Sequence, residues 1–130
     1  MASVPVHDGL FAGGADPHLI GATCRTCGRQ HFPSTATCPY CGSRDVEPGA
    51  LPTVGRLWAW TTVTAAPPGY SGPVPYGFGV VELGESLRVV TRIAEPDAAA
   101  LRAGQKMHLV LEEVGERDGQ AVVSWAFAPS

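Results

Sequence analysis

Lysine is nearly missing from this 130-residue chain: Lys106 is the only one, and Lys and Arg together number 9 against 12 Asp and Glu. A formal charge of −3 built from so few cations argues against a protein that binds by neutralising phosphates along a nucleic acid. Charged residues of both signs make up only 16%, which predicts a sparsely charged surface. The N-terminus, M-A-S-V-P-V-H-D-G, has neither the basic segment nor the apolar run of a secretory signal. No uncharged apolar stretch approaches the roughly 20 residues that span a bilayer. There is no G-x-S-x-G, no H-E-x-x-H and no phosphate-cradling glycine loop. These absences point to a cytoplasmic protein with no membrane contact, a compartment that also keeps thiols reduced.

Cysteine is scarce too, but its placement is informative. Cys24, Cys27, Cys38 and Cys41 form two C-x-x-C pairs, C-R-T-C-G and C-P-Y-C-G. A two-residue spacer lets both thiolates of a pair turn onto one ion, as tetrahedral zinc requires. Gly28 and Gly42 supply the permissive backbone on which each knuckle closes. Two disulfides or a redox pair would use the same residues, but paired knuckles with following glycines favour zinc. With sulfur at all four corners no position remains for a catalytic water, so the zinc is expected to be structural. His31 lies between the knuckles and is expected at the surface rather than as a fifth ligand or a base.

Residues 1–18 are interrupted by Pro5, Gly9, Gly13, Gly14 and Pro17, leaving room for a short helix at most. Residues 19–53 read as a zinc ribbon and a linker, the linker being E-P-G-A-L-P-T. A ribbon this small buries too little apolar surface to fold alone, so metal binding, worth about 10–16 kcal/mol in finger peptides, must stabilise it. Residues 54–130 change character. G-R-L-W-A-W-T-T-V-T predicts a long strand. Residues 65–77 hold four prolines and three glycines and predict a long exposed loop. Residues 78–83 and 87–94 predict a hairpin around Gly84-Glu85-Ser86. E-P-D-A-A-A-L-R-A-G predicts a short helix begun by Pro96 and Asp97 and ended by Gly104. Two more strands, residues 107–114 and 120–127, complete the chain. The strands alone also permit an SH3-like barrel or an open sandwich, but a helix between the third and fourth strands selects the five-stranded OB-fold. The fold class is therefore mainly β, a rubredoxin-like zinc ribbon followed by an OB barrel that folds largely without the ribbon.

The run C-R-T-C-G-R-Q-H-F-P, C-P-Y-C-G-S, G-R-L-W-A-W-T-T-V, P-Y-G-F-G-V-V-E-L and L-R-A-G-Q-K-M resembles the zinc-ribbon OB-fold family of acyl-CoA-associated proteins, long known only as a domain of unknown function. The resemblance covers residues 19–129. It implies an accessory subunit that works beside a thiolase-fold or lipid-transfer-like catalytic protein. It further implies carbon–carbon bond cleavage of an acyl-CoA by retro-aldol or thiolytic chemistry, sterol side-chain shortening included. Where the family tends to carry an amphipathic helix, residues 1–18 depart from the pattern, as a domain cut from a longer polypeptide would.

With every cysteine committed to zinc, no thiol remains for acyl transfer, and Asp97, His108, Glu82, Glu85, Glu112 and Glu113 read as structural or solvated groups. Binding is the better prospect. The working face of an OB-fold, strands two and three with the loops after strands one and four, points to Trp58, Trp60, Pro67, Pro68, Tyr70, Pro75, Tyr76 and Phe78. Alternation places Trp58 and Trp60 on one face, where core packing is the plain alternative to ligand contact. Tyr70 and Tyr76 are expected exposed, suited to an apolar partner or acyl chain. CoA phosphates would find Arg25, Arg29, Arg44 and Arg56. Two rival functions remain: a nucleic-acid-binding ribbon and OB module, which the acidic balance disfavours, and a pure assembly scaffold.

Overall fold

The computed structural model describes residues 3–84 and 87–130, so Glu85 and Ser86 of the expected hairpin turn lie outside the described residues. Two short strands precede the ribbon, β1 (Ser3–Pro5) and β2 (Phe11–Ala12). The ribbon contributes β3 (His18–Cys24), β4 (Gln30–His31) and β5 (Val46–Ala50). The remaining strands are β6 (Val54–Val63), β7 (Tyr76–Leu83), β8 (Leu87–Ile93), β9 (Lys106–Arg117) and β10 (Gln120–Pro129).

The last five close into a barrel. β6 pairs with β7, β7 with β8, β8 with β10 in parallel where Ile93 meets Phe127, β10 with β9, and β9 with β6. That is the OB-fold order the sequence predicted. Clean alternation builds it: in L-R-V-V-T-R-I of β8, Leu87, Val89, Thr91 and Ile93 face inward. Leu87, Val89 and Ile93 join Leu57, Val81, Leu83, Met107, Leu109 and Phe127 in one buried cluster. β9 and β10 run further than expected, to a two-residue turn at Asp118-Gly119, both with positive φ (51° and 77°). Asp-Gly suits that backbone twist, which continues the right-handed twist of the flanking strands.

Four expectations need correction. Trp58 and Trp60 do not share a face, because a β-bulge between Leu57 and Ala59 shifts the register against β7. Trp58 points outward and is 49% exposed, whereas Trp60 packs against the core. A bulge reverses the parity that alternation assumes. The short helix shrinks to one 3-10 turn, Ala98–Ala100, bound to β6: Trp60 Nε1 donates to Ala98 O, which also accepts from Leu101 N, and Thr62 Oγ1 donates to Pro96 O. Asp97 keeps its capping role, accepting from Ala99 N. The linker is partly strand: β5 pairs antiparallel with β3, and Pro48 is tolerated because β5 lies at a sheet edge. Residues 1–18 hold β1 and β2 in place of a helix. β1 lies parallel on β10 from Ser3 opposite Ala121 to Pro5 opposite Val123.

Ribbon and barrel meet across an apolar seam. Leu19 of β3 and Leu51 belong to the barrel's own buried cluster. Trp125 of β10 is packed by Phe11 (ring centroids 6.0 Å apart) and, edge-on, by Phe32 (5.5 Å).

Candidate functional site

The four cysteines converge although 17 residues separate the first from the last. Cys24 ends β3, Cys38 is buried beside it, and Cys27 and Cys41 lie on the exposed side. Gly28 N donates to Cys24 O and Gly42 N to Cys38 O, each glycine at φ 79°. Each pair thus closes on the same tight turn, which needs the left-handed region glycine enters freely. All four Sγ atoms lie within 4.8 Å of one another. Cys24 Sγ is 3.6 Å from Cys41 Sγ, and Cys27 Sγ is 3.7 Å from Cys38 Sγ. A tetrahedron with metal–sulfur bonds of about 2.3 Å has edges of about 3.8 Å, so the spacing fits one four-coordinate ion. Electrostatics among the thiols favours ionisation at one corner first. The Cys27 N–H donated to Cys24 Sγ holds that thiol at about 6, against the opposing pull of burial. At Cys41 the Ser43 N–H acts downward, but desolvation and the neighbouring thiols outweigh it and lift the group to about 11. A divalent cation removes that mutual repulsion and makes all four thiolates compatible.

His31 is not at the surface: it is 2% exposed. Thr35 Oγ1 donates its single proton to Thr37 O (2.7 Å), so at 3.0 Å His31 Nε2 must be the donor to Thr35 Oγ1. The ring therefore carries its proton on Nε2, and Nδ1 is buried without a partner. It shores up the strand that faces Ala22 of β3 and takes no part in the cysteine cluster.

The four arginines proposed from sequence do not form one patch. Arg25 is bound to Asp45 and Glu47, both at 2.8 Å. Arg29 stacks over Tyr40 at 5.1 Å. Arg44 is exposed on the second knuckle. Arg56 sits on the barrel, its guanidinium 3.4 Å from Gly104 O and its backbone opposite Lys106.

Tyr70 and Tyr76 are half-buried rather than free, their rings 5.2 Å apart. The reason is Arg92 on β8, whose guanidinium lies 4.5 Å over Tyr76 and 5.8 Å from the Tyr70 ring. Arg92 also reaches Glu112 (3.5 Å) and Tyr70 Oη (3.4 Å), while Tyr70 Oη donates to Pro73 O at 2.6 Å. The proline-rich loop is thereby folded back onto the barrel, leaving Pro67, Pro68, Val74 and Pro75 exposed. Phe78 is 38% exposed on the outer face of β7. Sequence reasoning missed Arg88, Val90 and Arg92, although the alternation of R-V-V-T-R on β8 places all three on that outer face. No described helix is long and apolar enough to cross a membrane.

Geometry thus defines a class: a four-cysteine metal ribbon sharing a core with an OB barrel. Residues 11–47 match the rubredoxin-like zinc ribbon domain of ChsH2, and residues 49–112 its C-terminal OB-fold domain. The chain belongs to the ChsH2 zinc-ribbon and OB-fold family. It is 29% identical over 113 residues to a DUF35 domain-containing scaffold protein of Pyrococcus furiosus, covering 85% of this chain and 82% of that one. It is 30% identical over 117 residues to the benzoylsuccinyl-CoA thiolase subunit BbsA of Thauera aromatica, covering 89% and 79%. The fold matches a chain of the Ltp2-ChsH2(DUF35) aldolase with a TM-score of 0.64 at 23% identity, over 86% of this chain and 84% of that one.

Proposed function

We propose that the chain is a non-catalytic accessory subunit of a cytoplasmic enzyme that cleaves a carbon–carbon bond in an acyl-CoA, by retro-aldol or thiolytic chemistry. The observation that carries this reading is the likeness along ribbon and barrel together to BbsA, a thiolase subunit. The chain's own chemistry agrees with it, since all four thiols are drawn into one cluster and none is left for acyl transfer. In this reading the ion is zinc and its role is to hold the ribbon. The reacting groups belong to a thiolase-fold or lipid-transfer-like partner, and a sterol side chain is one fitting acyl group.

In this reading the loop of residues 65–75 contributes at the shared site. Arg92 holds it through Tyr70 and Tyr76, so Pro68 and its neighbours are presented on a preordered edge that loses little entropy on docking. Closing over the partner's entrance would exclude water from a carbanion or enolate. A CoA phosphate on the ribbon would fall to Arg29 and Arg44, because Arg25 is committed to two carboxylates and Arg56 lies on the barrel.

The test is purification of the tagged chain from its native cells with mass spectrometry of stoichiometric partners. A thiolase-fold protein is the expected result. Nuclease-sensitive RNA or DNA complexes in its place would overturn the reading in favour of a nucleic-acid module. Tyr70→Ala and Tyr76→Ala are expected to lower turnover of the complex, and unchanged complex formation and turnover in both would remove the loop from the account.

A further inference from the structure

Register lays out the outer face of β6, β7 and β8 in rows. One row across the three strands is Arg56, Glu82 and Arg88; the next is Ala59, Val80 and Val90; the third is Thr61, Phe78 and Arg92. The bulge adds Trp58 between the first two rows, and its ring reaches across β7 to lie 4.1 Å from the Arg88 guanidinium. Val90, Trp58 and Phe78 are 58%, 49% and 38% exposed. Neighbouring strands lie about 4.8 Å apart, so these side chains form one continuous apolar stripe with a charged row along one edge. An outward sheet face bathed in water normally carries polar residues at such positions. None of the three belongs to the buried cluster.

Shape and charge narrow what covers it. Small molecules take concave sites that enclose most of their surface, whereas this is the convex wall of a barrel and suits a broad protein surface. Tryptophan and arginine are the residues in which interface energy concentrates, and here they are stacked on each other where the apolar stripe meets its charged edge. Among the described residues the charged edge holds Arg56, Arg88 and, opposite Arg56 on β9, Lys106, against Glu82 alone. In a chain of net charge −3 this is a local cationic excess. A second copy docked face to face would oppose like charges, so the complementary surface is apolar and edged by carboxylates.

We propose that the outer face of β6–β8, centred on Trp58 and Val90, is the surface that docks the catalytic subunit. This rests on the accessory-subunit reading above and assigns it a place on the barrel wall, bordered by the proline-rich loop that Arg92 pins at the end of the same face.

A photo-crosslinking p-benzoylphenylalanine placed at Val90 in the full chain, with Ala15 on the far N-terminal segment as the comparison position, tests it in native cells. The expected product is a covalent adduct between position 90 and a thiolase-fold protein, identified by mass spectrometry, and none from position 15. Val90→Glu and Arg88→Glu, both at exposed positions outside the buried cluster, are expected to weaken the purified complex by about tenfold or more. A complex that forms normally with both variants and gives no adduct at position 90 overturns the surface and leaves the accessory-subunit reading standing. Adducts to a second copy of this chain or to RNA overturn the assigned occupant. Failure to recover any thiolase-fold protein with the wild-type chain overturns both readings together.

Discussion

Ribbon and barrel reach order by opposite routes. The barrel gathers nine apolar side chains from its five strands into one buried cluster and closes its own edges, which is sufficient for a fold driven by removal of apolar surface from water. Beyond Leu19, the ribbon's fully buried side chains are little more than Ala22, His31 and two of its cysteines. Its strands are short, β4 only two residues long, and its two knuckles touch chiefly through sulfur, Arg25 and the Arg29–Tyr40 stack. One region is held by area and the other by a metal. The seam is where they exchange support, because Leu19 is a ribbon residue that completes the barrel's core.

Metal removal should separate the two most sharply. Stripping the ion with a chelator, or Cys38→Ser, is expected to abolish amide protection across β3–β5 while β6–β10 keep most of theirs, as read by hydrogen exchange with mass spectrometry. Acid should do the same, since protons compete for the thiolates. If the barrel's protection falls with the ribbon's, the two regions are one cooperative unit and the contrast drawn here fails.

The next largest effect crosses the seam. Leu19→Ala is expected to destabilise the barrel by about 2–5 kcal/mol, the range for a fully buried leucine, seen as a lower denaturant midpoint of the β6–β10 transition. A loss confined to the ribbon would show that the barrel closes without it. A smaller effect belongs inside the ribbon. Thr35→Val removes the acceptor for His31 Nε2 and leaves both buried ring nitrogens unpartnered. It should lower ribbon stability by about 1–3 kcal/mol, measured from the amide exchange of Gln30 and His31. An unchanged midpoint would mean the ring is held by packing alone.

Local chemistry was legible in the sequence and long-range geometry was not. The cysteine pairs and their glycines act over four residues, and the barrel's strand order follows from alternation and turn residues along the chain. Trp58 and Trp60 were misplaced because a bulge is a property of two strands, invisible in one. His31 looked exposed because its burial depends on β4 pairing against β3, where it lies opposite Ala22, and one strand read alone does not show that. Tyr70 and Tyr76 looked free because the cation that captures them, Arg92, lies 22 residues beyond Tyr70. The helix is only one turn long where Trp60 and Thr62, from another strand, tie Ala98 O and Pro96 O to the barrel. Each miss is a case of tertiary contact overriding a local preference.

The smallest expected effect tests the contrast from its polar side. Arg25 joins Asp45 and Glu47, tying the first knuckle to the strand that leaves the second, but all three side chains are more than half exposed. Exposed ion pairs contribute little and are screened by salt. Arg25→Ala should therefore speed metal release from the ribbon slightly in low salt, as followed by a colorimetric chelator, and leave the barrel's melting temperature unchanged. In about 1 M salt, where the screening length is about 3 Å, wild type and variant should release metal at the same rate. Arg25→Lys should fall between them, because a single ammonium cannot bridge both carboxylates as the guanidinium fork does. A variant whose barrel melts earlier would mean that charge on the ribbon's surface is felt through Leu19 and Leu51, and that the seam transmits strain as well as sharing a core.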